Sequence, residues 1–439
     1  VTLRGDARHQ PDTPRLVREL GLFGAVLMGL GAMIGTGVFV SLGLGAGIAG
    51  PAVLVALALA AGVALCNGLS SAQLAAANPV SGGTYEYGYR YLGSWAGFTA
   101  GWVFLLAKSA SAATAALGFA GYALQAIGRP ASHSVPVALA VVVLLTAIVL
   151  AGLRRSNMAN GAIAAVTVTS LAFFVLAGFP GIETDNLWPL FAAEGREVGL
   201  TALLEATALM FVAYTGYARI ATLGEEVREP HRTIPQAIVL AALVVMLLYG
   251  AVAVVGIGVA GSDGLHAATE EQAAPLAIVA RRFAVPGASA VLTIGALTAM
   301  LGVLLNLILG LSRVVLAMAR RGDLPKALAA VDARAMTPYW AVLAVGGAIA
   351  AIVTIGSVRT TWSFSAFSVL IYYALTNLAA LRMPASERSY PRTVAVVGLA
   401  ASLGLAFWVD VEVWRAGLAL VALGLGWHAI ALRVRSSRA

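Results

Sequence analysis

Two short segments of this chain carry residue types that could expose backbone polar groups in the middle of a helix. They are GAMIGTGVF at 31–39 and FVAYTGYAR at 211–219. At Gly35-Thr36-Gly37 the glycines remove the steric cost of leaving the helix. One helix is therefore expected to stop near Met33 and another to start near Gly37. A helix that starts there begins with unpaired N–H groups and a positive dipole end, which suits a carboxylate. The half that stops leaves unpaired carbonyls, and Val212, Ala213 and Thr215 sit where the second segment should do the same. Carbonyls in a dry site suit an ammonium. Donors from one break and acceptors from both match the backbone charges of a free amino acid. The competing reading is that the glycines only kink a helix or admit a neighbour, since Gly31/Gly35 and Gly43/Gly47 are also close-packing spacings. A dinucleotide loop is excluded, because GLGAMIG lacks the GxGxxG spacing and no βαβ unit surrounds it.

Other residues bear on the same chemistry. Lys108 lies within a long apolar run, where a lysine costs ~2.5–3.5 kcal/mol on insertion scales. It either ties to exposed helix carbonyls or serves substrate choice or proton coupling. Glu205 lies ~15 Å along its helix from the second break, at ~10 residues, and is a poor partner for Lys108. Phe39, Phe104 and Phe211 flank the breaks, either as gates over a ligand or as packing. Arg219 reads as a snorkelling residue. The five histidines show no metal-ligand spacing, and no nucleophile–base pair falls within the apolar runs. No metal, cofactor or enzymatic activity is expected.

The elements that position these residues follow from composition. Of 439 residues, 60% are hydrophobic and 11% charged, with a mean hydropathy of +0.89. At roughly 20 residues per membrane-spanning helix, that supply covers about 12 helices. A soluble enzyme, a disordered chain and a disulfide scaffold (Cys66 is the single cysteine) are excluded. A nucleic-acid binder is excluded as well, because the basic residues behind the pI of about 9.9 are scattered singly. The apolar run after the polar first ~20 residues is too long for a signal peptide. Apolar windows place helices at approximately 21–48, 51–77, 94–124, 135–152, 157–180, 200–224, 234–260, 285–319, 338–356, 361–381, 393–409 and 413–432. With the amino end inside, 19 Lys/Arg fall on the cytoplasmic side and 6 outside, so both termini are expected to be cytoplasmic. The external segment ATEEQAAPLAIVARRF (268–283) reads as an amphipathic surface helix.

The two glycine breaks open two units of five helices, 21–180 and 200–381. Five is odd, so the second unit is expected to be inverted, and interrupted helices at matching places in inverted halves point to a transporter binding site. Residues 1–20 and 433–439 are expected as cytoplasmic tails, and 393–432 as two additional helices.

The sequence resembles the amino acid–polyamine–organocation superfamily of transporters, in its bacterial amino acid permease branch. The resemblance rests on GAMIGTGVF, NPVSGGTYEYGYRYLG after the second helix and GWVFLLAKSASAA in the third. FVAYTGYARIATLGEEVREPHRTIPQAI across the sixth and seventh and ARRGDLP after the eighth complete it. It implies an all-α integral membrane fold of 12 transmembrane helices, five plus five inverted and leucine-transporter-like, with helices 1 and 6 unwound at mid-membrane. It also implies an α-amino acid substrate. Its carboxylate would meet amides at Gly35, Thr36 and Gly37, and its ammonium the carbonyls of Met33, Val212, Ala213 and Thr215. Lys108 would point toward the substrate side chain. The segment Ser81-Gly82-Gly83 with Tyr85 and Tyr87 reads as a turn into an amphipathic stretch at the inner face. Glu225, Glu226, Pro230, Arg232 and Pro235 read either as a charge-paired inner gate or as a solvated loop.

The chain also departs from the family. Relatives that carry cationic amino acids commonly have acids where this chain has Ala107 and Ala218, which argues for neutral or mildly acidic cargo. Sodium-coupled relatives have two hydroxyls where alignment puts Leu301 and Gly302. Some proton-coupled relatives place a lysine where this chain has Thr167. Sodium needs oxygen ligands, so the expectation is sodium-independent, proton-coupled symport in the plasma membrane. Lys108 is the group that would gain and lose the proton or sense substrate charge. No nucleotide-binding motif is present, so an ion or exchange gradient would supply the energy. The alternatives are an exchanger or uniporter, or a non-transporting amino-acid sensor of the same fold. The expected partners are a small amino acid, the lipid bilayer and protons, with no nucleic acid and no obligate protein.

Overall fold

The computed structural model describes residues 20–78, 82–152, 157–193, 196–217, 220, 227–331 and 337–436. Ser81, Ala218, Arg219, Glu225 and Glu226 lie outside the described residues, as do 1–19 and 437–439. The chain is almost wholly helical. In order the helices are α1 (Leu22–Met33), α2 (Leu42–Ala49), α3 (Val53–Ala77), α4 (Thr84–Tyr91), α5 (Ser94–Ala126), α6 (Ser134–Leu150), α7 (Asn157–Gly178) and α8 (Leu200–Tyr214). They continue as α9 (Pro230–Gln272), α10 (Pro275–Val279), α11 (Ala288–Arg321), α12 (Tyr339–Val353), α13 (Val358–Arg382), α14 (Arg392–Ala406) and α15 (Val411–Ser436). A two-rung hairpin pairs Ala192–Ala193 with Arg196–Glu197. Among the described residues nine helical stretches are long and apolar enough to cross a membrane, and α1, α12 and α14 are shorter apolar helices.

The small side chains of α5 set its place. Ala107, Ala110, Ala112, Ala113 and Ala116 are fully buried, and such residues let neighbouring backbones approach closely. In its apolar window 78% of residues are buried, against 17% in α15. Helix α5 is thus the central post and α15 a peripheral helix. It meets α13 through hydroxyl pairs, Ser111–Ser365 at 2.7 Å and Thr114–Thr361 at 2.8 Å.

Two expectations need correction. Helix α15 continues to Ser436, so 433–436 belong to a helix and not to a tail. The segment 268–283 is neither one helix nor a surface one. Helix α9 turns at Gly261 (φ 72°), runs on to Gln272, and ends where Ala273 adopts φ 51°. Pro275 disfavours helical geometry at the residue before it, so α10 starts separately. Leu276, Ala277, Val279 and Ala280 are buried. In front of them His266 and Thr269 lie against Gly47 and Gly43 of α2, where a Cβ would collide with them.

Between α3 and α5, Gly83 (φ 57°) admits the turn into α4, whose Tyr85 and Tyr87 are both buried. The hydroxyls of Tyr85 and Tyr89 each donate to Asp323 at 2.7 Å. Arg321 pairs with Glu86 at 2.6 Å and lies over the Tyr89 ring at 4.1 Å. Helix α4 is thereby pinned to the end of α11. Tyr91 donates to Glu387 at 2.6 Å.

Candidate functional site

The first break is built by α1 stopping at Met33. Ile34 still donates back to Leu30 (2.9 Å), but its own backbone turns extended at φ −79° and ψ 109°. Helical structure resumes as a π turn at Gly37–Ser41, leading into α2. Val38 and Phe39 donate to Gly35 O at 3.2 and 3.3 Å. The three amides between, those of Gly35, Thr36 and Gly37, have no acceptor among the described residues. The Thr36 hydroxyl is buried and also without a partner. Unsatisfied buried donors are costly and uncommon. Here all three residues line one cavity.

The second break begins at Thr215, where α8 tightens into a short 3-10 turn, Thr215–Tyr217. The two breaks touch through their glycines. A Cβ on Gly37 would lie 2.5 Å from Ala213 Cβ, and one on Gly216 would collide with the Ala32 carbonyl and Met33 N. Only glycine allows so close a backbone approach. Tyr249 of α9 ties them further, donating to Met33 O at 2.8 Å and lying 3.5 Å from Ala213 O.

A cavity of ≈ 70 Å³ opens at this crossing. Met33, Gly35, Thr36, Gly37, Lys108, Val212, Ala213 and Thr215 all line it. The acceptor side differs from expectation. Val212 O accepts both the Thr215 N–H and its hydroxyl (2.8 Å), which occupies both lone pairs. Met33 O has given one to Tyr249. Thr215 O accepts from the Tyr373 hydroxyl at 3.3 Å, and Ala213 O, with its 3.5 Å neighbour, is the most open acceptor of the four.

Lys108 Nζ donates to Thr215 Oγ1 at 2.9 Å, so it reaches the second break and not a helix carbonyl. No described carboxylate lies in ion-pair range of it. Glu205 is paired with Arg359 at 3.5 Å.

Phe39, Phe104, Phe211 and Thr167 do not line the cavity. Each phenylalanine projects from another face of its helix and packs on a tyrosine: Phe39 on Tyr122, Phe104 on Tyr372, Phe211 on Tyr373. Thr167 is buried and spends its hydroxyl on Ile163 O of its own helix, at 2.8 Å. The aromatic wall is Trp362 of α13, buried and fixed by its Nε1–H on Leu209 O at 3.0 Å. Ala32, Ser111, Val303 and Leu307 complete the side-chain lining. Ser111 was within reach of sequence reasoning, since three residues on from Lys108 is the same helix face. Trp362 was not, because nothing in the run TWSFSAF marks which side turns inward.

The family model for amino acid permeases matches residues 24–431. The chain belongs to the amino acid permease family. This permease is 43% identical to an uncharacterized transporter of Mycobacterium tuberculosis, over 97% of this chain and 93% of that one. It is 27% identical to the branched-chain amino acid permease BcaP of Bacillus subtilis, over 94% and 90%. It is also 27% identical to the vacuolar cationic amino acid transporter 4 of Arabidopsis thaliana, over 84% of this chain and 64% of the plant protein. These are transporters and not enzymes. The protein is a multi-pass membrane protein of a family that transports amino acids.

Proposed function

We propose that this permease moves an α-amino acid across the plasma membrane by alternating access, with the cavity at the crossed breaks as its binding site. The observation that carries this reading is the set of three unpaired amides beside the unpaired Thr36 hydroxyl. A carboxylate accepts from such a set, and the substrate ammonium takes Ala213 O and the free lone pair of Met33 O. The architecture behind it is a pair of inverted five-helix units, 21–180 and 200–381, in a fold of 12 transmembrane helices with both termini cytoplasmic. The broken helices 1 and 6 then lie at the membrane midplane. That the breaks in α1–α2 and α8 meet glycine to backbone at one cavity supports it.

Transport is sodium-independent and coupled to protons. Leu301 and Gly302 bring no side-chain oxygen to the place where sodium-coupled relatives hold the ion. Lys108 takes up the coupled proton or, staying charged, reads the charge of the cargo. Its ammonium at the cavity wall supports neutral or mildly acidic cargo over cationic, as does Ala107 in place of an acid. The test is uptake of radiolabelled amino acids into proteoliposomes. Uptake should persist when choline replaces sodium, and an inward proton gradient should stimulate it. Lys108→Ala should lose that stimulation. A strict sodium requirement refutes the coupling, and no uptake of any amino acid refutes the transport reading.

A further inference from the structure

The cavity holds more positive poles than a neutral amino acid has negative ones. One pole is the amide set at Gly35–Gly37 with the Thr36 hydroxyl. It sits at the start of a helical stretch that runs from Gly37 to Ala49, so its dipole adds to the donors. A substrate α-carboxylate satisfies that pole alone. The other is Lys108, anchored by Thr215 Oγ1 at the opposite break. An ammonium carries three N–H donors. Thr215 takes one, and no other acceptor among the described residues takes the rest. Lys108 is partly buried, and a charge drawn out of water without a counter-charge is unfavourable. No described carboxylate supplies the missing anion, and the cavity that Lys108 lines is open to one.

We infer that the cargo is an acidic amino acid whose side-chain carboxylate pairs with Lys108. Its α-carboxylate lies at the amide pole, and its ammonium at Ala213 O between the two. A neutral amino acid leaves Lys108 uncompensated. A cationic one sets two like charges in the same small space. The cavity offers room for about five water-sized groups before its walls yield. That favours the shorter second carboxylate, aspartate over glutamate. Ser111 stands beside Lys108 on the same face of α5. Its hydroxyl, paired with Ser365 at 2.7 Å, keeps an open lone pair or proton toward the cargo.

The inference rests on the transport reading above, and the experiment separates the two. Uptake of labelled L-aspartate, L-glutamate, L-alanine, L-leucine and L-lysine is measured into proteoliposomes of the full chain, wild type, Lys108→Met and Lys108→Arg. In wild type aspartate is expected to lead, glutamate to follow and lysine to come last. In Lys108→Met the ratio of aspartate to alanine uptake efficiency should fall about 30-fold or more, the scale at which a buried charge pair loses one partner. Lys108→Arg keeps the charge and should keep aspartate ahead of alanine. Alanine or leucine leading in wild type overturns the inference while leaving amino acid transport standing. Equal losses of aspartate and alanine in Lys108→Met also overturn it, because a structural lysine predicts that result. Should Lys108→Met not fold, the wild-type panel and Lys108→Arg decide. No uptake of any of the five overturns the transport reading and this inference with it.

Discussion

A single added methyl at Gly37 tests whether the crossing of the two breaks is what holds the site together. In Gly37→Ala the new Cβ would stand 2.5 Å from Ala213 Cβ and 2.8 Å from Ala213 Cα. A comfortable carbon contact needs about 3.5–4.0 Å, so the two segments must part by about 1 Å. The obstacle is backbone, and no rotamer change removes it. Overpacking of this kind costs about 1–3 kcal/mol, offset in part by the 0.5–1 kcal/mol or so that alanine gains over glycine in a helix. The loss in binding should be larger. The Gly37 amide is still present, but its distance to Ala213 O changes by about 1 Å, a shift that costs positioned groups about 100-fold. The assay is ligand-induced thermal stabilisation of the purified protein, because ligand raises apparent stability in proportion to the logarithm of its concentration over Kd. Gly250→Ala in α9, where an added Cβ meets nothing within 4 Å, is the control and should bind as wild type. A Gly37→Ala protein that binds within about threefold of wild type refutes the reasoning, since by this geometry a 1 Å parting must be felt.

Three further outcomes are expected. Thr215→Val removes the acceptor of Lys108 and should lower thermal stability by the equivalent of about 1–3 kcal/mol; Thr215→Ser restores it, and a Thr215→Val melting point equal to wild type would discount the 2.9 Å bond. Trp362→Phe loses the bond to Leu209 O at about 1 kcal/mol, whereas Trp362→Ala costs about 3–5 kcal/mol and should shift uptake toward bulkier cargo in a competition assay. Burial and the Asp323 carboxylate push the Tyr85 phenol well above its usual value of 10.0. The unfolded chain therefore loses this proton first, and stability falls as pH rises past about 10. Melting curves between pH 8 and 11 should show a shallower alkaline fall in Tyr85→Phe.

Much of the candidate site could be placed from sequence because it rests on backbone chemistry that residue types announce. Gly-Thr-Gly at 35–37 marks where a helix can stop and restart, and the lining of the cavity gathers both breaks and Lys108. Most helix ends among the described residues fall within a few residues of the ends of the apolar runs, since such a run has to end where polar residues begin, while the expected end of the sixth lies outside the described residues. The failures lie where tertiary contact decides. The segment 268–283 carries charged residues at its ends, yet Leu276, Ala277, Val279 and Ala280 are buried, and the helix end before them lies against glycines of α2 and α5 through Thr269, Gln272 and Ala273. The phenylalanines were near the breaks in sequence but on the wrong faces, and which face turns inward depends on helix packing.

The acceptor side shows the same limit more sharply. An interrupted helix was expected to leave its last carbonyls free for an ammonium, and the count of orphan groups at a helix end supports that. The structure closes most of them from within. Thr215 folds its own N–H and hydroxyl onto Val212 O, and Tyr249 arrives from α9 to occupy Met33 O. Nothing comparable reaches the amides of Gly35, Thr36 and Gly37. The asymmetry has a physical cause. Hydroxyls of threonine and tyrosine can donate to carbonyls wherever one lies in reach, but an amide needs an acceptor, and Lys108 has none to offer, while the hydroxyls of Ser111 and Thr215 are engaged with Ser365 and with Lys108 and Val212 O. Most acceptors at this crossing are therefore answered by the protein, with Ala213 O the most open of them, and donors are left over at both poles. On the cargo inference above, surplus donors would select for the number of carboxylates a ligand carries more than for its ammonium.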